Sequence, residues 1–136
     1  MSPTQRTLRE LKGQGRVCAI VEKWNPYVGP PRSPSSPVGQ KNKPTGIRQD
    51  LFGIIDVLSL DPVRGFVGVQ CCAGSGMSAH WTKLTVDRAQ ESLDWLKTPG
   101  GRLEIWAWRK VKVKRGGKAM VWRPRIVEVT AEDIVG

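Results

Sequence analysis

Histidine is nearly missing from this chain: His80 is the only one among 136 residues, and cysteine is confined to Cys18, Cys71 and Cys72. No CxxC pair occurs, and the adjacent Cys71 and Cys72 would point to opposite faces of a strand. Neither a zinc site nor a disulfide framework is therefore expected, and the three thiols read as packing residues. Long apolar runs are missing too; nothing approaches the roughly 18 uninterrupted apolar residues of a membrane helix. The first residues, Met1-Ser2-Pro3-Thr4-Gln5, lack the apolar core of a secretory signal, so a cytoplasmic location without a membrane partner is expected. Acids are the last scarcity: 12 Asp and Glu stand against 22 Lys and Arg, for a net charge of +10.

The cations that are present cluster. Residues 102–125 hold nine of them (Arg102, Arg109, Lys110, Lys112, Lys114, Arg115, Lys118, Arg123 and Arg125) against Glu104 alone. Residues 25–48 hold four more, Arg48 among them, and no acid. Such clusters neutralise phosphates and release counterions, the sequence-independent part of nucleic-acid affinity. DNA is the expected partner, gripped by Arg48 and by the cations from Arg109 onward; an acidic protein surface is the alternative. Trp106, Trp108 and Trp122 lie among these cations, where rings stack on bases or pack beneath the strands.

A chain of this length makes one domain with a real core. Residues 4–12 read as a short helix with Leu8 and Leu11 on one side, and residues 16–24 alternate as a strand. Prolines 26, 30, 31, 34, 37 and 44 mark residues 25–48 as a long flexible loop. Residues 51–60 are almost continuously apolar, as in a strand covered on both faces. Residues 66–72 are its hairpin partner across the turn Asp61-Pro62-Val63-Arg64-Gly65. Ser78 is placed to cap a helix running to about Lys97. Residues 102–110 alternate as a strand, with Leu103, Ile105 and Ala107 opposite Glu104, Trp106 and Trp108. A basic turn at 112–118 leads to a last strand at 119–130, whose Pro124 suits a sheet edge or bulge. The expected class is mixed α/β (α+β) rather than a regular βαβ array. Gly74-Ser75-Gly76-Met77-Ser78-Ala79 matches a dinucleotide-binding pattern, but the repeated βα units are missing, so its amides read as a turn or a phosphate-holding helix start.

Two polar residues sit where apolar ones are expected. Asp56 is flanked by Ile54, Ile55, Val57 and Leu58, with Asp50 just upstream, and Gln70 lies between Val69 and Cys71. A carboxylate in an apolar strand must be paired, hydrogen-bonded or metal-bound, because a lone buried charge costs several kcal/mol. If the hairpin pairs around residues 61–65, Asp56 and Gln70 come near each other across it. They then either present oxygens to one cation or serve an ordinary salt bridge and cross-strand hydrogen bond.

This order of elements, αβββαβ with an acid on the second strand and a polar triplet on the third, resembles the PD-(D/E)XK nuclease superfamily of Holliday junction resolvases and restriction-endonuclease-like folds. Residues 46–83 carry the resemblance. Ile55-Asp56-Val57-Leu58-Ser59-Leu60 looks like the Asp-bearing strand, and Gln70-Cys71-Cys72 stands where Glu-x-Lys would fall. The resemblance implies a central mixed sheet flanked by helices. It also implies Mg²⁺ or Mn²⁺ as cofactor, and cleavage of DNA phosphodiesters, branched junctions included, by a homodimer. The implied metal ligands are Asp50, Asp56 and Gln70, with Glu10 from the first helix or Glu22 from the first strand. The implied catalytic residues are Asp56, Gln70 and Lys83, the last replacing the strand lysine that Cys72 displaces. The chain departs from the pattern at Ile55, which replaces proline, at the neutral Gln70 and at Cys72. These departures favour the alternative of a non-catalytic nucleic-acid-binding protein on the same fold.

Overall fold

The computed structural model describes residues 1–26 and 46–134. Helix α1 (Pro3–Gly13) opens at Ser2, whose hydroxyl accepts the Gln5 amide at 3.2 Å, while Pro3 has no amide to leave unpaired in the first turn. Thr7 and Leu11 form its buried stripe. Strand β1 (Val17–Ile20) follows, and then β2 (Lys23–Pro26) and β3 (Gly46–Gln49), which pair only with each other. β4 (Val57–Asp61) and β5 (Gly65–Ala73) form the expected hairpin. The Asp61 carboxylate fixes its turn by accepting the Val63 and Arg64 amides at 3.0 and 3.2 Å. A helical crossover, α2 (Met77–Thr82) and α3 (Ala89–Lys97), leads to the long hairpin of β6 (Gly101–Lys112) and β7 (Met120–Val129).

Five strands make one mixed sheet in the order β1-β4-β5-β6-β7. Only β5 and β6 are parallel, joined by the α2–α3 crossover; the other pairs are antiparallel. Helix α1 covers one face, packing Leu11 against Val57, Val67, Val69, Cys71, Trp106 and Trp108. The opposite face packs Cys72, Leu103, Ile105, Ala107 and Val129 beneath Leu84 and the flanks of α2 and α3. Cys71 and Cys72 thus face opposite layers, as their adjacency implies. The buried tryptophans are core residues with satisfied nitrogens. Trp108 Nε1 donates to Thr7 Oγ1 at 2.9 Å, and Trp106 Nε1 donates to Glu104 Oε1 at 3.1 Å. Glu104 is in turn held by Arg64 at 2.9 Å.

The structure departs from the sequence-based expectation in four places. Residues 51–60 are not one strand: Leu51 and Ile55 bridge each other around a tight connection, and β4 starts only at Val57. Continuous apolarity arises there because Ile54 and Ile55 are both fully buried, whatever the backbone does. The helix expected from Ser78 to Lys97 begins at Met77, with no side-chain cap, and is interrupted by a π-helical stretch, Lys83–Asp87. Residues 16–24 divide into β1 and the start of β2. Of the loop expected at 25–48, the ends belong to β2 and β3, and residues 27–45 lie outside the described residues.

Candidate functional site

Strand directions gather the polar residues at one end of the sheet. β5 and β6 run parallel, β1 ends where β4 begins (Ile20 opposite Val57), and β4 begins opposite Val69. Glu22 follows β1, Asp56 precedes β4, Gln70 lies near the end of β5, and α2 starts just beyond it. Carboxylate oxygens of Glu22, Asp50 and Asp56 all lie within 4.8 Å of one another. A cavity of about 240 Å³ opens on this cluster, and Gln70, His80, Lys83 and the first residues of α1 also line it. The positive end of the α1 dipole therefore faces the acids.

Asp56 is 5% exposed and Gln70 2%. Asp56 Oδ2 accepts the Cys71 amide at 2.9 Å and Gln70 Nε2 at 2.5 Å, and the same nitrogen reaches Asp50 Oδ2 at 3.3 Å. Gln70 Oε1 is buried and has no hydrogen-bond partner among the described residues. Lys83 Nζ pairs with Asp50 Oδ2 at 2.5 Å, and Arg48 approaches Glu22 at 3.8 Å. Burial, followed by the hydrogen bond with Asp50 and the nearby negative charges, pushes Asp56 up to about 8. Burial would raise Asp50 as well, but its hydrogen bonds with Asp56 and Lys83 and the Lys83 charge outweigh it, leaving Asp50 below the usual carboxylate range. The two carboxyls therefore hold one proton between them at neutral pH, the state of an anionic cluster short of positive charge.

Of the residues expected at the site, Asp50, Asp56, Gln70, Lys83 and Glu22 are brought together. Glu10 is not. It lies exposed near the far end of α1, about 9 Å along the helix from Thr4, and its Oε1 accepts Gln14 Nε2 at 3.3 Å. Position 72 offers no cation: the Cys72 thiol is buried in the layer under α2, and among the described residues Lys83 alone brings an ammonium to the acids. His80 belongs to the site although its scarcity argued only against a metal centre. It sits three residues before Lys83 and lines the same cavity, burial and Lys83 hold it below the usual histidine range, and its buried Nδ1 has no partner among the described residues. The spacing of three residues on a helix was the available signal.

The cationic segment projects from the same end. β5 stops at Ala73 opposite Trp108, whereas β6 runs on to Lys112 paired with β7 alone, a two-stranded ribbon about 13 Å longer than its neighbour. Arg109, Lys110, Lys112, Lys114, Arg115, Lys118, Arg123 and Arg125 are all exposed, and among the described residues none pairs with an acid. Trp122 is part of this surface: Arg6 lies over its ring at 4.0 Å and Lys110 at 5.4 Å. No helix of the described residues is long and apolar enough to cross a membrane. Comparisons with family models, curated proteins and solved structures returned no match.

Proposed function

We propose that the protein is a metal-dependent DNA endonuclease on a restriction-endonuclease-like fold. The observation that carries this reading is the convergence of Glu22, Asp50 and Asp56 around the unpartnered Gln70 Oε1, at the sheet end from which the cationic ribbon projects. The connectivity supports it as well: α1, the antiparallel β1-β4-β5, a helical crossover and the parallel β6 follow the αβββαβ order of that superfamily.

The donor set fits a hard divalent cation. Three carboxylates and an amide oxygen are the ligands Mg²⁺ and Mn²⁺ prefer, and a rotated Gln70 amide turns its orphaned oxygen towards Asp56 and Asp50. Such a cation, when bound, offsets the charge that develops at phosphorus and acidifies a water. The chain's own groups do the rest. Lys83 holds Asp50 in place and adds a positive charge beside the phosphate position. His80, kept neutral at pH 7, can take up a proton at the free Nδ1. The ribbon and Arg48 hold the flanking backbone.

Nicking of supercoiled plasmid with Mg²⁺ or Mn²⁺ tests the reading. Asp56→Asn and Lys83→Met are expected to lower the rate by at least about 100-fold while DNA affinity persists. Binding without cleavage of plasmid, duplex and branched DNA under both metals would instead leave a non-catalytic binding protein, the reading that the neutral Gln70 and the buried Cys72 favour.

A further inference from the structure

Beside the acid cluster, and sharing Asp50 and Lys83 with it, lies a larger open cleft of about 720 Å³. Its lining includes Arg48, Phe52, Arg88 and Glu91, and its size falls in the range of small-molecule pockets, to which a nucleotide belongs. The unusual wall is Phe52. Among the described residues it is the one non-glycine with a positive φ, 57°, and the residue is left 60% exposed. A bulky residue in the left-handed region is strained, where glycine or asparagine would not be, and an exposed ring forgoes burial.

The surrounding chain holds the ring in this position. Leu51 N donates to Ile55 O at 2.9 Å and Ile55 N to Leu51 O at 3.1 Å, so residues 52–54 form a closed turn, anchored by the fully buried Ile54 and Ile55. Trp95 braces Phe52 from one side, with ring centroids 6.4 Å apart. Gly53, at φ 74°, makes room for Arg88: a Cβ there would lie 3.0 Å from the Arg88 Nε. One turn thereby presents an open aromatic face and seats a guanidinium in the same cleft, two residues from Asp50. Strain of this kind, kept at the rim of a polar site, points to a contact outside the chain.

We infer that Phe52 is a stacking platform for one unpaired base, whose phosphate is met by Arg88 and Lys83, next to the phosphate held at the acid cluster. This rests on the endonuclease reading of that cluster and narrows its substrate. A base inside a duplex has both faces covered by its neighbours, so only single-stranded, flapped or branched DNA can offer one to Phe52 without first being unstacked. The cations of the ribbon make no such distinction, because the phosphates they meet are common to paired and unpaired DNA.

The experiment is binding of the protein, in EDTA, to oligonucleotides carrying 2-aminopurine in a single strand, at a four-way branch point, or within a paired duplex. Wild type is expected to quench the fluorophore in the unpaired settings and to bind them about tenfold more tightly than the duplex. Phe52→Ala and Phe52→Leu should lose the quenching and the tenfold preference while keeping duplex affinity, and Phe52→Trp should keep both. Quenching in the single strand but not at the branch would assign an open strand as the substrate, and the reverse a junction. Equal affinity for paired and unpaired DNA in the wild type, or undiminished quenching by the folded Phe52→Leu variant, would overturn the inference. Cleavage is not read here, so a protein that quenches through Phe52 and never nicks refutes the endonuclease reading alone.

Discussion

Replacing Asp56 by asparagine should make the metal-free protein more stable at neutral pH, although it removes the residue on which activity is expected to depend. The folded chain raises this carboxyl from 3.8 to about 8, so folding at pH 7 must take up a proton that the unfolded chain does not hold. At 1.36 kcal/mol per pH unit, the separation between 3.8 and 7 sets an upper limit of about 4 kcal/mol. The sign follows from the direction of the shift. A raised acid contributes stability that is complete below its unfolded pKa and disappears as pH climbs through the folded one, here between about 4 and about 8. Asp50 is shifted the other way, so its contribution is lost only as pH falls below the ordinary carboxylate range and does not cancel the first effect. Asparagine keeps an acceptor for the Cys71 amide and Gln70 and turns a donor towards Asp50. A gain of about 2 kcal/mol at pH 8 is therefore expected, or roughly 6 °C in Tm for a domain of this size, shrinking towards zero at pH 4. Differential scanning fluorimetry across pH 4–9 in EDTA would measure it. Saturating Mn²⁺ should reverse the order, since a ligand bound at about 100 times its Kd stabilises the wild type by about 2.7 kcal/mol. An asparagine variant no more stable than wild type at pH 8, or a difference independent of pH, would refute the account of the cluster.

Two further outcomes follow from other parts of the molecule. Reversing Lys112, Lys114 and Arg115 to glutamate should weaken DNA binding and flatten the plot of log K against log salt by about 0.9 for each phosphate no longer neutralised; an unchanged slope in an anisotropy titration would remove the ribbon from the interface. Gly68→Ala would bring a Cβ to 2.6 Å from Ile55 Cδ1 and 2.8 Å from its Cγ1, and the forced shift of this fully buried side chain should cost about 1–3 kcal/mol in urea unfolding.

How much of this was legible in the sequence depends on which forces write a local pattern. The β4–β5 hairpin was readable because Asp61 to Gly65 carries its own turn chemistry, and Asp56 and Gln70 stood out because a polar group in an apolar run needs a partner. The alternation of β6 was equally plain, since one side faces α1 and the other the crossover. The turn at 52–54 was not. Leu51-Phe52-Gly53-Ile54-Ile55 is apolar throughout, and hydrophobicity alone cannot tell a covered strand from a buried turn. The π-helical stretch at Lys83–Asp87 was equally hidden, because it depends on tertiary packing of Leu84 and Thr85 rather than on a breaker residue. Choosing between Glu10 and Glu22 required knowing which end of α1 meets the sheet's polar end, a relation between elements that no spacing records.

The placing of β7 has one more consequence. As the last strand of the sheet among the described residues, it has no strand partner there along its outer side, a template on which another strand could grow. Pro124 interrupts that row near its middle, and Arg123 and Arg125 set like charges on either side of it. A second copy approaching edge to edge would meet a missing donor and four clustered guanidiniums, two from each chain. The cations assigned to the proposed DNA grip thus also oppose extension of the sheet. Stripping them to remove DNA affinity should therefore be expected to lower solubility, an effect to separate by light scattering before any fall in binding is interpreted.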